Sequence, residues 1–85
     1  MPFVYILRCA DGSLYTGIAK DLDRRLGEHR SGRASRYTRS RLPVVLAWSR
    51  EVESWGLALR EELRIKRLSR AEKEALLPGP APRSS

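Results

Sequence analysis

Two things are scarce in this chain, and each scarcity excludes a class of protein. A single cysteine, Cys9, stands among 85 residues, so no internal disulfide can form. The longest apolar run, Pro43 to Trp48, is far short of the roughly 20 residues that a membrane helix needs. No apolar segment follows a charged start, so no secretion signal and no membrane partner are expected. Together these absences point to the cytoplasm. Acidic residues are also outnumbered: ten Asp and Glu stand against seventeen Lys and Arg, a formal charge of +7. Arginine dominates the basic set, and its planar guanidinium grips phosphate in a bidentate manner. A polyanion, and nucleic acid above all, is the natural partner of such a chain.

What remains is ordinary for a globular domain, with 41% hydrophobic and 32% charged residues. A chain of 85 residues makes one domain with one core and a small stability margin. Phe3 to Arg8, β-branched and aromatic, predicts a strand. Asp11-Gly12 marks a turn, and Leu14 to Ala19 returns. Asp21 can cap a helix running to about Arg30, stopped by Ser31-Gly32. Residues 31–41 have no apolar period and predict a basic loop. Val44 to Ser49 predict a third strand, with Val44, Leu46 and Trp48 on one face and Val45, Ala47 and Ser49 on the other. Ser54 can cap a second helix, about Trp55 to Arg67, and Ser69-Arg70-Ala71-Glu72 fits a capping box opening a third. The domain is expected to span 1–77, with 78–85 a disordered tail. The order β-β-α-β-α-α implies an α+β fold, a three-stranded, largely antiparallel sheet flanked by helices.

The hairpin register follows from parity. A two-residue turn at Asp11-Gly12 would put Tyr5 and Tyr15 on opposite faces of the sheet. A three-residue loop, Ala10-Asp11-Gly12 with Gly12 left-handed, shifts the register by one. Tyr5 then faces Gly17, Leu7 faces Tyr15, and both phenols share a face. Val4, Ile6, Leu14, Thr16 and Ile18 are left as a core face, so the odd-length loop is expected. On the first helix, Leu22, Arg25, Leu26 and His29 fall on one side at i, i+3, i+4 and i+7. Leu59, Glu62, Leu63 and Lys66 repeat that spacing on the second. Charged groups placed beside leucines in this way need partners.

The residues Val4-Tyr5-Ile6-Leu7 and Leu14-Tyr15-Thr16-Gly17 resemble the paired signature strands of the GIY-YIG nucleases, with Thr16 in place of the middle isoleucine. Asp21 to His29 is similar to the family helix carrying an arginine and, a turn later, a histidine, which places Arg25 and His29 at those positions. Arg60 to Lys66 resembles the helix that bears the family's metal-binding glutamate, here Glu62. Ile65 to Arg70 is similar to a stretch found in the compact, single-domain branch. The resemblance implies divalent-metal-dependent hydrolysis of phosphodiester bonds in DNA, selective for structure rather than sequence. It implies one Mg²⁺ or Mn²⁺ on Glu62, Arg25 against phosphoryl charge, Tyr5 or Tyr15 as proton acceptor, and His29 orienting or relaying. Arg33, Arg36, Tyr37, Arg39 and Arg41 predict a nucleic-acid strip, with Lys66, Arg67 and Arg70 extending it. DNA is expected ahead of RNA, and a protein partner or a second copy of the chain would supply selectivity. The alternative is a module that binds nucleic acid without cleaving it.

Overall fold

A computed structural model describes residues 1–77, so the tail expected at 78–85 lies outside the described residues. Seven elements follow in order: β1 Phe3–Arg8, β2 Leu14–Ala19, α1 Leu22–Arg30, α2 Arg36–Arg39, β3 Val45–Glu51, α3 Trp55–Lys66 and α4 Arg70–Leu76. The strands form one antiparallel sheet in the order β2-β1-β3. This is the expected α+β arrangement with one short helix, α2, set into the basic loop. None of the described helices is long and apolar enough to cross a membrane.

The hairpin closes as parity requires. Cys9 N donates to Ser13 O and Gly12 N donates to Cys9 O, leaving Ala10-Asp11-Gly12 as the loop. Gly12 has φ +85°, a conformation that costs a glycine little and a residue with a Cβ much more. Tyr5 pairs with Gly17 and Leu7 with Tyr15. Side chains alternate with period two, so the sheet presents two distinct faces. Tyr5, Leu7, Cys9, Leu26 and Val44 form one buried cluster, with Tyr15 and Leu22 against it. Val4, Ile6, Ala58 and Ile65 form the other, with Leu14, Ile18, Trp48, Leu68 and Leu76 around them. Helix α1 therefore covers the phenol face, and α3 and α4 cover the opposite one.

Two sequence expectations need correction. Strand β3 does not alternate evenly: its pairing with β1 shifts between Ile6, opposite Trp48, and Leu7, opposite Leu46. The extra residue reverses the phase, so Val44 joins the phenol-face cluster while Trp48 joins the other. In α3 the buried stripe is Ala58 and Ile65, with Glu61 and Glu62 half-buried between them, while Leu59 and Leu63 are exposed. The small Ala58 lets the helix approach the sheet closely, which a leucine face would prevent.

Helix α4 is held to the hairpin tip by charge. Arg8 donates to both Glu74 carboxylate oxygens at 2.8 and 3.1 Å. Arg70 donates to Glu74 at 3.0 Å and to Gly12 O at 2.7 Å. These donors pull the Glu74 carboxyl down to about 2. Arg70 thus serves the fold while its side chain stays 59% exposed.

One buried polar atom is unmatched. Thr16 Oγ1 has no hydrogen-bond partner among the described residues, and Thr16 lies on the apolar face of β2 opposite Ile6. A buried hydroxyl without a partner costs about 1–3 kcal/mol. Thr16→Val keeps the β-branched shape and removes that hydroxyl. It is expected to stabilise the domain by about 1 kcal/mol, raising Tm by roughly 4–8 °C. A melting curve unchanged or shifted down would show that the hydroxyl is satisfied.

Candidate active site

The phenol face gathers Tyr5, Tyr15, Arg25 and His29. Asp21 Oδ1 accepts from Arg24 N and starts α1, which turns Arg25 and His29 toward the sheet. His29 is fully buried. One ring nitrogen, Nε2, lies 2.8 Å from the Tyr5 hydroxyl, and the other, Nδ1, lies 2.9 Å from Thr38 Oγ1. Thr38, also fully buried, comes from α2, where Ser35 caps the helix by accepting from Thr38 N. Thr38 Oγ1 donates to Ser35 O at 3.4 Å.

Counting donors orders this chain. With the threonine proton on the Ser35 carbonyl, its lone pair accepts from His29 Nδ1–H. That leaves Nε2 unprotonated, and Tyr5 donates to it. Every group is satisfied in this arrangement, and the imidazole is held neutral with its basic nitrogen on the phenol. Burial, then the Arg25 charge, lowers the His29 pKa below its ordinary value. Burial, then the neighbouring Tyr15, raises that of the Tyr5 phenol, which Arg25 opposes and Glu62 reinforces. Tyr5 is therefore a proton donor to histidine at rest, and a free phenolate is excluded near neutral pH.

Tyr15 lies edge-on to the His29 ring at 5.3 Å between centroids and stacks on Tyr37 at 5.8 Å. Gly17 is the floor beneath the phenols: a Cβ built there would lie 2.6 Å from Tyr5 Oη. Arg25 is half-exposed at the rim, its Nε 3.0 Å from Glu28 Oε1. Glu62 comes from another element, α3. Its helix packs on the opposite face along β2, its carboxylate pairs with Lys66 at 3.3 Å, and its reach to Tyr5 is electrostatic.

Among the described residues, no three His, Cys, Asp or Glu side chains cluster as a ready metal cage. A single half-buried carboxylate still fits Mg²⁺, which is held by one or two carboxylates with water and substrate phosphate completing the shell.

The basic strip divides into committed and open groups. Arg41 is committed: Nε donates to Asp11 at 3.0 Å, and the guanidinium lies 3.8 Å over the Tyr37 ring. Tyr37 is thus stacked within the protein by Arg41 and Tyr15, and Lys66 is held by Glu62. Arg33, Arg36 and Arg39 line one open depression, and Arg33 continues into a second with Arg24 and Arg25. Sequence reasoning omitted Arg24 and Thr38. A Ser-x-x-Thr spacing at Ser35 and Thr38 was the available signal for the capped turn that delivers Thr38.

The chain matches the family model described as the GIY-YIG catalytic domain over residues 1–75. It is 49% identical over 76 residues to a UPF0213 protein of Halobacterium salinarum, covering 89% of this chain and 99% of that protein. A UPF0213 protein of Aeromonas hydrophila is 50% identical over 78 residues; the chain covers only 57% of its length. A solution NMR structure of a UPF0213 protein from Bacillus halodurans, 47% identical, superposes with a TM-score of 0.58 over 89% of this chain and 82% of that one. The chain belongs to the GIY-YIG catalytic-domain family, the family of the GIY-YIG nucleases.

Proposed function

We propose that residues 1–77 form a divalent-metal-dependent endonuclease domain that hydrolyses phosphodiester bonds in DNA. The observation that carries this reading is the buried chain from Tyr5 through His29 to Thr38, with Arg25 beside it. Membership of a nuclease family supports the reaction class. Glu62 would hold a single Mg²⁺ or Mn²⁺, which when bound supplies Lewis-acid polarisation of the phosphate. Arg25 leaves Glu28 and neutralises charge on the phosphoryl oxygens. The attacking water passes a proton to Tyr5 Oη as the phenol passes its own to His29 Nε2; the water oxygen bonds to phosphorus, the ester P–O bond breaks, and the leaving oxygen takes a proton from solvent. No free phenolate forms, which removes the obstacle of the raised phenol pKa. Tyr15 keeps the imidazole in register. Arg33, Arg36 and Arg39 contact backbone phosphates and carry no sequence information, so selectivity is for structure. A protein partner or a second copy would add to it, and DNA is the expected polymer, in the cytoplasm.

The test compares wild type with Glu62→Ala on end-labelled DNA in Mg²⁺ or Mn²⁺. Losing a metal that stabilises the transition state by several kcal/mol lowers cleavage by more than about 100-fold. Cleavage that survives in the variant contradicts the role of Glu62. The ion pairs Arg25–Glu28 and Glu62–Lys66 favour a second reading, a non-cleaving nucleic-acid-binding module. In that case both proteins bind DNA and neither cuts it.

A further inference from the structure

Beside Arg25, on the side away from the basic loop, a cavity of about 340 Å³ opens between the end of β2, the start of α1 and the start of α3. That size falls within the roughly 300–1,000 Å³ range of small-molecule sites. Lys20, Arg24, Arg25 and Trp55 line it, together with Asp21 and Glu28. Trp55 is 41% exposed, unusual for the largest apolar side chain. It is the first residue of α3, which Ser54 caps, so the indole is carried on a fixed element. Lys20 Nζ lies over its ring at 5.7 Å. The two carboxylates are already engaged: Asp21 caps α1, and Glu28 pairs with Arg24 at 3.5 Å and Arg25 at 3.0 Å.

We infer that this cavity is a nucleotide subsite, in which Trp55 stacks on an unpaired base of DNA while Lys20 and Arg24 hold the phosphate attached to it. An indole face beside cations matches a base joined to a phosphate. A base entering the cavity takes the ring face and releases the Lys20 ammonium onto the backbone. Bases inside a duplex already have both faces stacked, so the subsite selects an unpaired or displaced nucleotide. Every base has a π-face, so it selects without reading sequence. Because Arg25 belongs both to this cavity and to the proposed active site, the captured nucleotide neighbours the phosphate to be cut. The inference rests on the nuclease reading for its polymer, while its test needs no cleavage.

The experiment titrates the full chain, in EDTA, with an oligothymidylate and with a duplex of equal length, following intrinsic tryptophan fluorescence and competition binding. Wild-type emission is expected to fall with the single strand, and Trp55→Phe to lose most of that quenching although Trp48 remains. Trp55→Ala is expected to weaken single-strand binding about 5- to 150-fold, the range of one lost base stack, and duplex binding less than about 2-fold. Trp55→Tyr, which keeps a stacking face, restores most of the affinity. Equal losses on both polymers, or quenching that persists in Trp55→Phe, overturn the subsite and leave the nuclease reading standing. Absence of salt-sensitive binding to either polymer overturns both.

Discussion

Tyr5→Phe is expected to slow cleavage by about 10²–10⁴-fold, the range supplied by a positioned proton acceptor. The substitution removes one oxygen and little volume, so the sheet face survives. It leaves the buried His29 Nε2 without the donor that stood at 2.8 Å, at a cost of about 1–3 kcal/mol. Circular dichroism at 25 °C should still show a folded domain, which separates chemistry from collapse. Rate against pH gives a second reading of the same pair. His29 accepts a proton only when neutral, and burial with Arg25 holds its pKa below the ordinary value of about 6.5. The wild-type rate should therefore be level through neutrality and fall only on the acid side of that value, as the imidazole charges before turnover. Residual activity in Tyr5→Phe should lose this acid limb. A variant that cleaves at the wild-type rate would remove Tyr5 from the chemistry.

Gly17→Ala is expected to be nearly as damaging for a different reason. The added methyl would lie 2.6 Å from Tyr5 Oη, 2.7 Å from Tyr5 Cζ and 3.2 Å from Tyr15 Cε2. Tyr5 is 1% exposed and has no room to retreat. Overpacking of this kind costs roughly 1–3 kcal/mol. The displaced phenol also leaves His29, and a misplacement of about 1 Å can cost about 100-fold in rate. Gly27→Ala is the control, since a Cβ there meets nothing within 4 Å. Urea denaturation and cleavage measured together should show both losses in Gly17→Ala and neither in Gly27→Ala. A Gly17→Ala protein with wild-type stability and rate would mean that the phenol does not lie over this glycine.

The hairpin half of the site was legible because its rules are local. A side-chain period of two and one left-handed glycine are enough to put Tyr5 opposite Gly17. The α1 face was legible too, since Leu26 and His29 are buried with Arg25 half-buried beside them. Helix α3 misled because apolar residues surround it: Trp55, Leu57, Leu59 and Leu63 are all exposed, and the buried stripe is set by Ala58 against the sheet. Thr38 was hidden because a four-residue helix has no hydrophobic period, and its burial depends on His29, nine residues away. The Arg8–Glu74 pair joins groups 66 residues apart, and no local pattern announces it. The bulge that turns Val44 and Trp48 to opposite faces arises from the pairing with β1, and the apolar pattern of residues 44–49 gives no sign of it.

The most direct measurement is single-turnover cleavage by the purified wild-type chain of labelled single-stranded, duplex and branched DNA, in Mg²⁺ or Mn²⁺ and again after EDTA. The arrangement of Tyr5, His29, Arg25 and Glu62 predicts metal-dependent cutting, strongest where nucleotides are unpaired, and none in EDTA. DNA that is bound by the protein in a gel-shift assay yet left intact in both metals, whatever its structure, would contradict it.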